Sequence, residues 1–340
     1  MQQEHNPQCK LYVGMHDGVC AVTSVDGGQT WQSGKIFPLA HAAARLSVSP
    51  AAPGHAYLAA YEAGVYRTHD GGLTWQHLPS YPSGYAHSVL MHPHMAETVY
   101  VGSEPATIFR SQDDGETWQE CKAFRDVQEA QQWFFHSDTR ASHVRDLRMA
   151  PHDPGCLYAG IEVGGVVGSR DSAASWRQLP GTHDDIHCID ISAARPQTLY
   201  VATARGPYRS DDEGRHWELI NEGLQRPYTL HIAAAPDDAD VVLVTVSRNA
   251  GRHEPQFYRS ITGGRSWDLI ESLGNDADMV VAFDWDPSAP ERVYAGTDGG
   301  RLYWSLDRGV SWEPIPVELS SVAVGALAVG PASVLSLDAE

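Results

Sequence analysis

Short apolar runs recur along the chain with polar, turn-forming residues between them. Ala56-Tyr-Leu-Ala-Ala-Tyr61 and Gly64-Val-Tyr-Arg67 are closely spaced and β-rich, Trp75-Gln-His-Leu78 follows a polar turn, and Arg45-Leu-Ser-Val-Ser49 alternates apolar with polar. Runs this short, rich in β-branched and aromatic residues and bounded by Gly, Asp and Ser, predict strands. The same succession returns along the sequence, and each unit predicts four short antiparallel strands, here called a, b, c and d.

Between strands c and d stands an eight-residue phrase that occurs seven times: Ser24–Trp31, Thr68–Trp75, Ser111–Trp118, Ser169–Trp176, Ser210–Trp217, Ser260–Trp267 and Ser305–Trp312. Its chemistry suits a tight hairpin. Asp at the third position accepts hydrogen bonds from the N–H groups ahead of it, Gly supplies positive φ, and Ser or Thr at either end closes the turn. The terminal Trp starts strand d with a large apolar face to bury. Two copies depart: Thr262 replaces the Asp of the sixth, and Ser172-Ala-Ala replaces the glycines of the fourth. Looser turns are expected there, without loss of a blade.

Seven four-stranded repeats of about this length predict one all-β domain over residues 1–340, a single seven-bladed β-propeller of four-stranded antiparallel blades. Lys10-Leu-Tyr-Val13 already reads as a strand b, so the first blade lacks a strand a at the N-terminus. Gly325-Ala-Leu-Ala-Val-Gly330 is the expected substitute, a C-terminal strand that joins the first blade and closes the ring. Val334-Leu-Ser-Leu337 is left without a place.

The phrase resembles the Asp-box, or BNR repeat, of sialidases, sortilin, xyloglucanases and the photosystem II assembly propeller. The likeness covers nearly the whole chain and implies the fold; the box is structural in those families. His143-Val-Arg145, Glu162-Val-Gly-Gly165 and Asp184-Asp-Ile-His187, with Gly102-Ser-Glu-Pro105 and Ala202-Thr-Ala-Arg-Gly206, further resemble bacterial BNR propellers labelled glycosyl hydrolase-like or sialidase-like. Sialidase activity itself is not expected. That family has six blades and three arginines on the substrate carboxylate, whereas here there are seven boxes and only Arg145 and Arg205 at rim positions. Xyloglucan hydrolases join two propellers across a cleft, and the assembly propeller carries a lumenal targeting signal, which this sequence does not show.

Composition narrows the partners. Asp plus Glu exceed Lys plus Arg by 43 to 24, a net charge of −19, which repels phosphate backbones and argues against nucleic acid. No stretch approaches the ~18 apolar residues of a membrane span, and the opening residues lack the basic and apolar regions of a secretory signal. Five scattered cysteines without a CxxC pair suggest neither a disulfide framework nor a zinc site, and a reducing cytoplasm is expected.

Strand alternation then locates the chemistry. The a–b and c–d turns share one face of the ring, so all seven boxes mark that face and the b–c and d–a loops mark the other, here the top. The top loops carry His16-Asp17, Glu62, Glu104, Glu162, Arg205, Arg248, His253-Glu254 and Asp298, and the starts of strand a add His41, His87, His143, Arg145, His187, His231 and Asp278. Aligned on strand b, His87, Arg145 and His187 are equivalent and should rim the channel. The 58-residue interval before Trp176 holds an insertion around residues 124–139, whose Gln, Glu and Ala followed by Trp133-Phe-Phe135 suggest a short helix; it reads either as a lid over the mouth or as a loop covering apolar surface.

The expected site therefore has His143, Glu162 and His187 as catalytic groups, with Glu104, Glu162 and His187 as ligands of one divalent metal ion. Arg145, Arg205, His87 and Trp133 would bind substrate. The expected function is a small-ligand-binding propeller, an enzyme of hydrolase or lyase type acting on a polar or anionic molecule, sugar-derived or otherwise, by metal-assisted or His/Glu acid–base chemistry. The alternative is a non-catalytic scaffold that holds a protein partner on one face.

Overall fold

The computed structural model describes residues 9–134, 141–273 and 278–331, to which all that follows refers. They form a seven-bladed propeller of four-stranded antiparallel sheets, the first blade carrying in addition the two-residue strand Phe37–Pro38 paired with Gly18 and Val19. In the second blade, strands a to d are Ala43–Val48, Ala56–Ala60, Gly64–Thr68 and Gln76–His77. The same order repeats around the ring. Each strand a contacts strand a of the next blade, and the seventh such contact closes the circle.

Closure uses the far end of the chain, as expected. Leu327–Gly330 is strand a of the first blade and pairs antiparallel with Lys10–Val13, Lys10 opposite Gly330 and Val13 opposite Leu327. The strand is shorter than the expected Gly325–Gly330 because Gly325 adopts φ +66° and turns the chain into it. Val334–Leu337 lies outside the described residues.

The core consists of wedges between neighbouring blades. Strand b is buried on both faces, as in Ala56–Ala60 and Val293–Thr297, which is why these runs are apolar throughout. Each box Trp packs against the preceding blade: Trp75 meets Tyr12 edge-on at 6.2 Å, Trp312 lies 5.6 Å from Phe257, and Trp31 meets Tyr294 and Trp304 of the seventh blade at 6.1 and 5.6 Å. Truncating Trp31 or Trp75, both buried, costs about 3–5 kcal/mol.

The boxes share one bonding scheme. In the first, Ser24 Oγ donates to Asp26 Oδ1 at 2.8 Å and accepts from Gly28 N–H at 2.8 Å, while Thr30 donates its N–H and hydroxyl to the two Asp26 oxygens. The fourth and fifth positions have positive φ in all seven copies. The fourth box is not looser, contrary to expectation: Ser172 and Ala173 take φ 57° and 70°, and Asp171 keeps its bonds to Ser169 and Ser175. In the sixth, Thr262 Oγ1 accepts from Ser266 N–H at 2.9 Å, while its contacts with the Ser260 and Ser266 hydroxyls lengthen to 3.3 and 2.9 Å.

The insertion forms two 3-10 turns, Lys122–Asp126 and Gln128–Gln132, in place of one helix. Phe124 and Val127 are buried, and Phe124 packs 5.3 Å from Trp176, so the segment fills the seam between the third and fourth blades. Phe135 and the rest of the expected lid to residue 139 lie outside the described residues.

Candidate functional site

Strand a carries a register shift near its top end in several blades, between Val144 and Asp146 and between Ile186 and Cys188 among others. Such a bulge leaves one residue unpaired and re-aims its side chain. Arg145 and His187 occupy these bulges, and His87 stands at the matching place because Ser88 faces Gly102 as Asp146 faces Gly160. The alignment that made the three equivalent thus corresponds to a repeated backbone feature.

Five of the expected residues lie in continuous contact. His87 Nε2 is 3.0 Å from Glu104 Oε2, and the His87 and His143 rings stack with centroids 3.8 Å apart. His143 Nδ1 lies 3.6 Å from the same Glu104 oxygen and 3.4 Å from the Ala141 carbonyl. On its other side His143 Nε2 is 2.9 Å from Glu162 Oε2, which also accepts from Arg145 Nη1. His143 faces Glu162 directly across the a–b pairing of the fourth blade. His87, Glu104 and His143 are buried, while Arg145 is 25% exposed.

Burial shapes the ionisation of this chain. It lowers the His87 imidazole to about 4, against the pull of Glu104, so the ring is neutral near pH 7. Burial pushes Glu104 and Glu162 up, but their partners win: the His87 hydrogen bond holds Glu104 below its usual value, and the Arg145 guanidinium, with His143, does the same to Glu162.

Three of these side chains, His87, His143 and Arg145, border a cavity of about 260 Å³ at the channel mouth, which His16, Tyr61, Arg252 and the Ala42–Arg45 segment also line. Arg45 is its floor. Only 6% exposed, it reaches across the ring to donate to the His187 carbonyl at 3.0 Å and donates to the Val324 carbonyl beside the first blade at 2.9 Å, with Asp146 Oδ1 3.6 Å from its Nε. Beneath it a second chamber of about 210 Å³ opens toward the box face, lined by Asp146, Arg148, Asp190, His231 and Asp284. Burial raises Asp190, lifts Asp284 to about 6 and drops His231 to about 3.

The other expected residues lie apart from this chain. The His187 ring is buried 4.5 Å from that of Tyr228; its Nδ1 donates to the Thr229 carbonyl at 2.6 Å and its Nε2 lies 3.4 Å from Asp185. Glu104, Glu162 and His187 form no three-ligand set among the described residues; the sets that do are His87–Glu104–His143 and His55–His69–Asp114. Arg205 is exposed on the b–c turn of the fifth blade and is not among the mouth-lining residues. Trp133 packs at a tilt against Phe124, ring centroids 5.4 Å apart, and borders a separate groove on the flank. Sequence reading passed over Arg45, Tyr61 and Arg252. Arg45 had a signal: it is a cation in a strand a, at the position that Asp146 and His231 occupy in other blades.

Fold and boxes together define the class: a seven-bladed Asp-box β-propeller. A family model described as "Sortilin, neurotensin receptor 3" matches residues 63–145. No curated protein matches the chain. Among solved structures, an ancestral GH74 enzyme is similar at 17% identity and TM-score 0.64, with 77% of this chain and 36% of that one covered. The GH74 xyloglucanase of Xanthomonas campestris gives 16% identity and TM-score 0.64 over 88% and 54%. YCF48 bound to a D1 peptide gives 16% and 0.58 over 92% and 86%. The chain spans about a third to about half the length of these hydrolases. At such identities the likeness is one of fold.

Proposed function

We propose that the protein binds a small polar or anionic ligand at the channel mouth and acts on it by hydrolysis or elimination. The observation that carries this reading is the continuous buried run His87–Glu104–His143–Glu162–Arg145 beside an open cavity. Stacked imidazoles and two ionised carboxylates under the surface are costly to maintain, and each contact gives a ring or carboxylate a fixed orientation. The neutral His87 ring and His143, held between two carboxylates, suit proton transfer, and Arg145 with Arg252 offers cationic charge to an anionic group.

A screen of small carboxylates, phosphate esters and acidic sugars by thermal shift and turnover tests it. The expected result is a ligand that raises the melting temperature of the wild type and not of Arg252→Ala, with turnover down at least 100-fold in Glu162→Gln. A ligand that raises the melting temperature of Arg252→Ala as much as that of the wild type has its site elsewhere and overturns the reading. A second reading, a peptide-holding scaffold, draws on the YCF48 structure, which this chain matches over most of both lengths. It predicts a crosslinked peptide along the rim rather than in the cavity.

A further inference from the structure

We propose that His87, Glu104 and His143 bind one divalent transition-metal ion whose open coordination positions face the mouth cavity. One ligand atom from each lies within 4.8 Å of the other two. Both imidazoles approach the same carboxylate oxygen, His87 Nε2 at 3.0 Å and His143 Nδ1 at 3.6 Å. Donors held ~2.1 Å from a common ion at tetrahedral or octahedral angles stand ~3.0–3.4 Å apart, close to these separations; because the two rings are stacked at 3.8 Å, one imidazole must turn out of the stack for both lone pairs to meet the ion. Two imidazoles and one carboxylate suit zinc or ferrous iron better than magnesium or calcium.

The surroundings supply the support such a ligand needs. Glu162 Oε2 lies 2.9 Å from His143 Nε2 and is itself fixed by Arg145, which holds the ring with its Nδ1 edge toward Glu104; ion binding requires the tautomer protonated at Nε2. His87 and His143 both line the cavity, which leaves room for a bound water or a ligand oxygen beside the ion, as in catalytic rather than closed structural sites. The other candidate set is less suited. Asp114 already accepts from Tyr57 at 2.6 Å and pairs with the Arg67 guanidinium at 3.0 Å, a positive charge beside any ion placed there.

What the ion would do rests on the ligand-binding reading above; whether it binds does not. The test takes the chelator-stripped full chain and titrates it with Co²⁺, followed by visible absorption, and with Zn²⁺ by calorimetry. One equivalent is expected to bind, with affinity down at least 100-fold in His87→Ala and Glu104→Gln, about 10–100-fold in Glu162→Gln, and unchanged in His69→Ala. X-ray absorption of the Co²⁺-loaded wild type, which needs no variant to fold, is expected to show two imidazoles. Absence of saturable binding to the folded wild type, equal affinity in His87→Ala, loss in His69→Ala, or a spectrum without imidazole overturns the proposal. The thermal-shift screen repeated in chelator separates the two readings, since an Arg252-dependent ligand response there survives the loss of the metal site.

Discussion

On the box face, Asp26, Asp70, Asp113, Asp171, Asp212 and Asp307 each spend both carboxylate oxygens on the Ser or Thr groups of their own eight-residue turn. In the fifth box His216 takes the place of the closing hydroxyl. Along the channel, Glu104, Glu162, Asp146 and Asp284 meet groups that come from other strands or other blades. The first set is repeated, local and wet; the second is unrepeated, non-local and largely buried. A local bond pattern survives substitution, as Thr262, Ser172 and Ala173 demonstrate, because neighbouring residues in the chain deliver the partners. A channel carboxylate depends on the closed ring to bring its partner.

The contrast breaks hardest at Arg45. Arg45→Ala leaves Asp146 without one of its buried cations and removes the bond that crosses the ring to His187 and the one to Val324 beside the neighbouring first blade, and denaturant unfolding should show a loss of about 3–5 kcal/mol. A loss no larger than that of an exposed arginine would dissolve the distinction.

Asp284 sharpens it in the opposite direction. Its carboxyl is raised to about 6 by burial, so the fold favours the protonated form, and that contribution is complete below about pH 4 and lost as pH rises through 6. Asp284→Asn should therefore gain about 2 kcal/mol at pH 7.5 and nothing at pH 3.5, read from urea midpoints. The boxes respond with the other sign. Asp26, Asp113 and Asp212 are lowered to about 2, chiefly by their turn bonds in the first two and by the His216 bond against a burial penalty in Asp212, so their contribution is present above about pH 4 and lost as pH falls toward 2. The smallest effect is expected of Thr262→Asp, which restores the missing oxygen of the sixth box and should gain about 0.5 kcal/mol above pH 5 by thermal unfolding.

Much of this molecule is legible in its sequence. The box is a local code, with positive φ at two positions and hydroxyls four residues apart, and local codes repeat visibly in a sequence. From the count of boxes and strand alternation followed the ring, its closure near Leu327 and the face that carries His87, Glu104, His143, Arg145 and Glu162. The tertiary structure alone decided which of these touch. Glu104 reaches His87 in its own blade and His143 in the next, whereas His187 turns to Thr229 and Asp185, Arg205 points into solvent, and Trp133 packs into a seam between blades. It also decided that Arg45 divides the channel. The reason is range: the bonds that close a box join residues no more than four apart, and their pattern is written in order along the chain. Contacts across a channel join residues 142 apart, whose meeting depends on blade rotation and side-chain reach rather than on spacing.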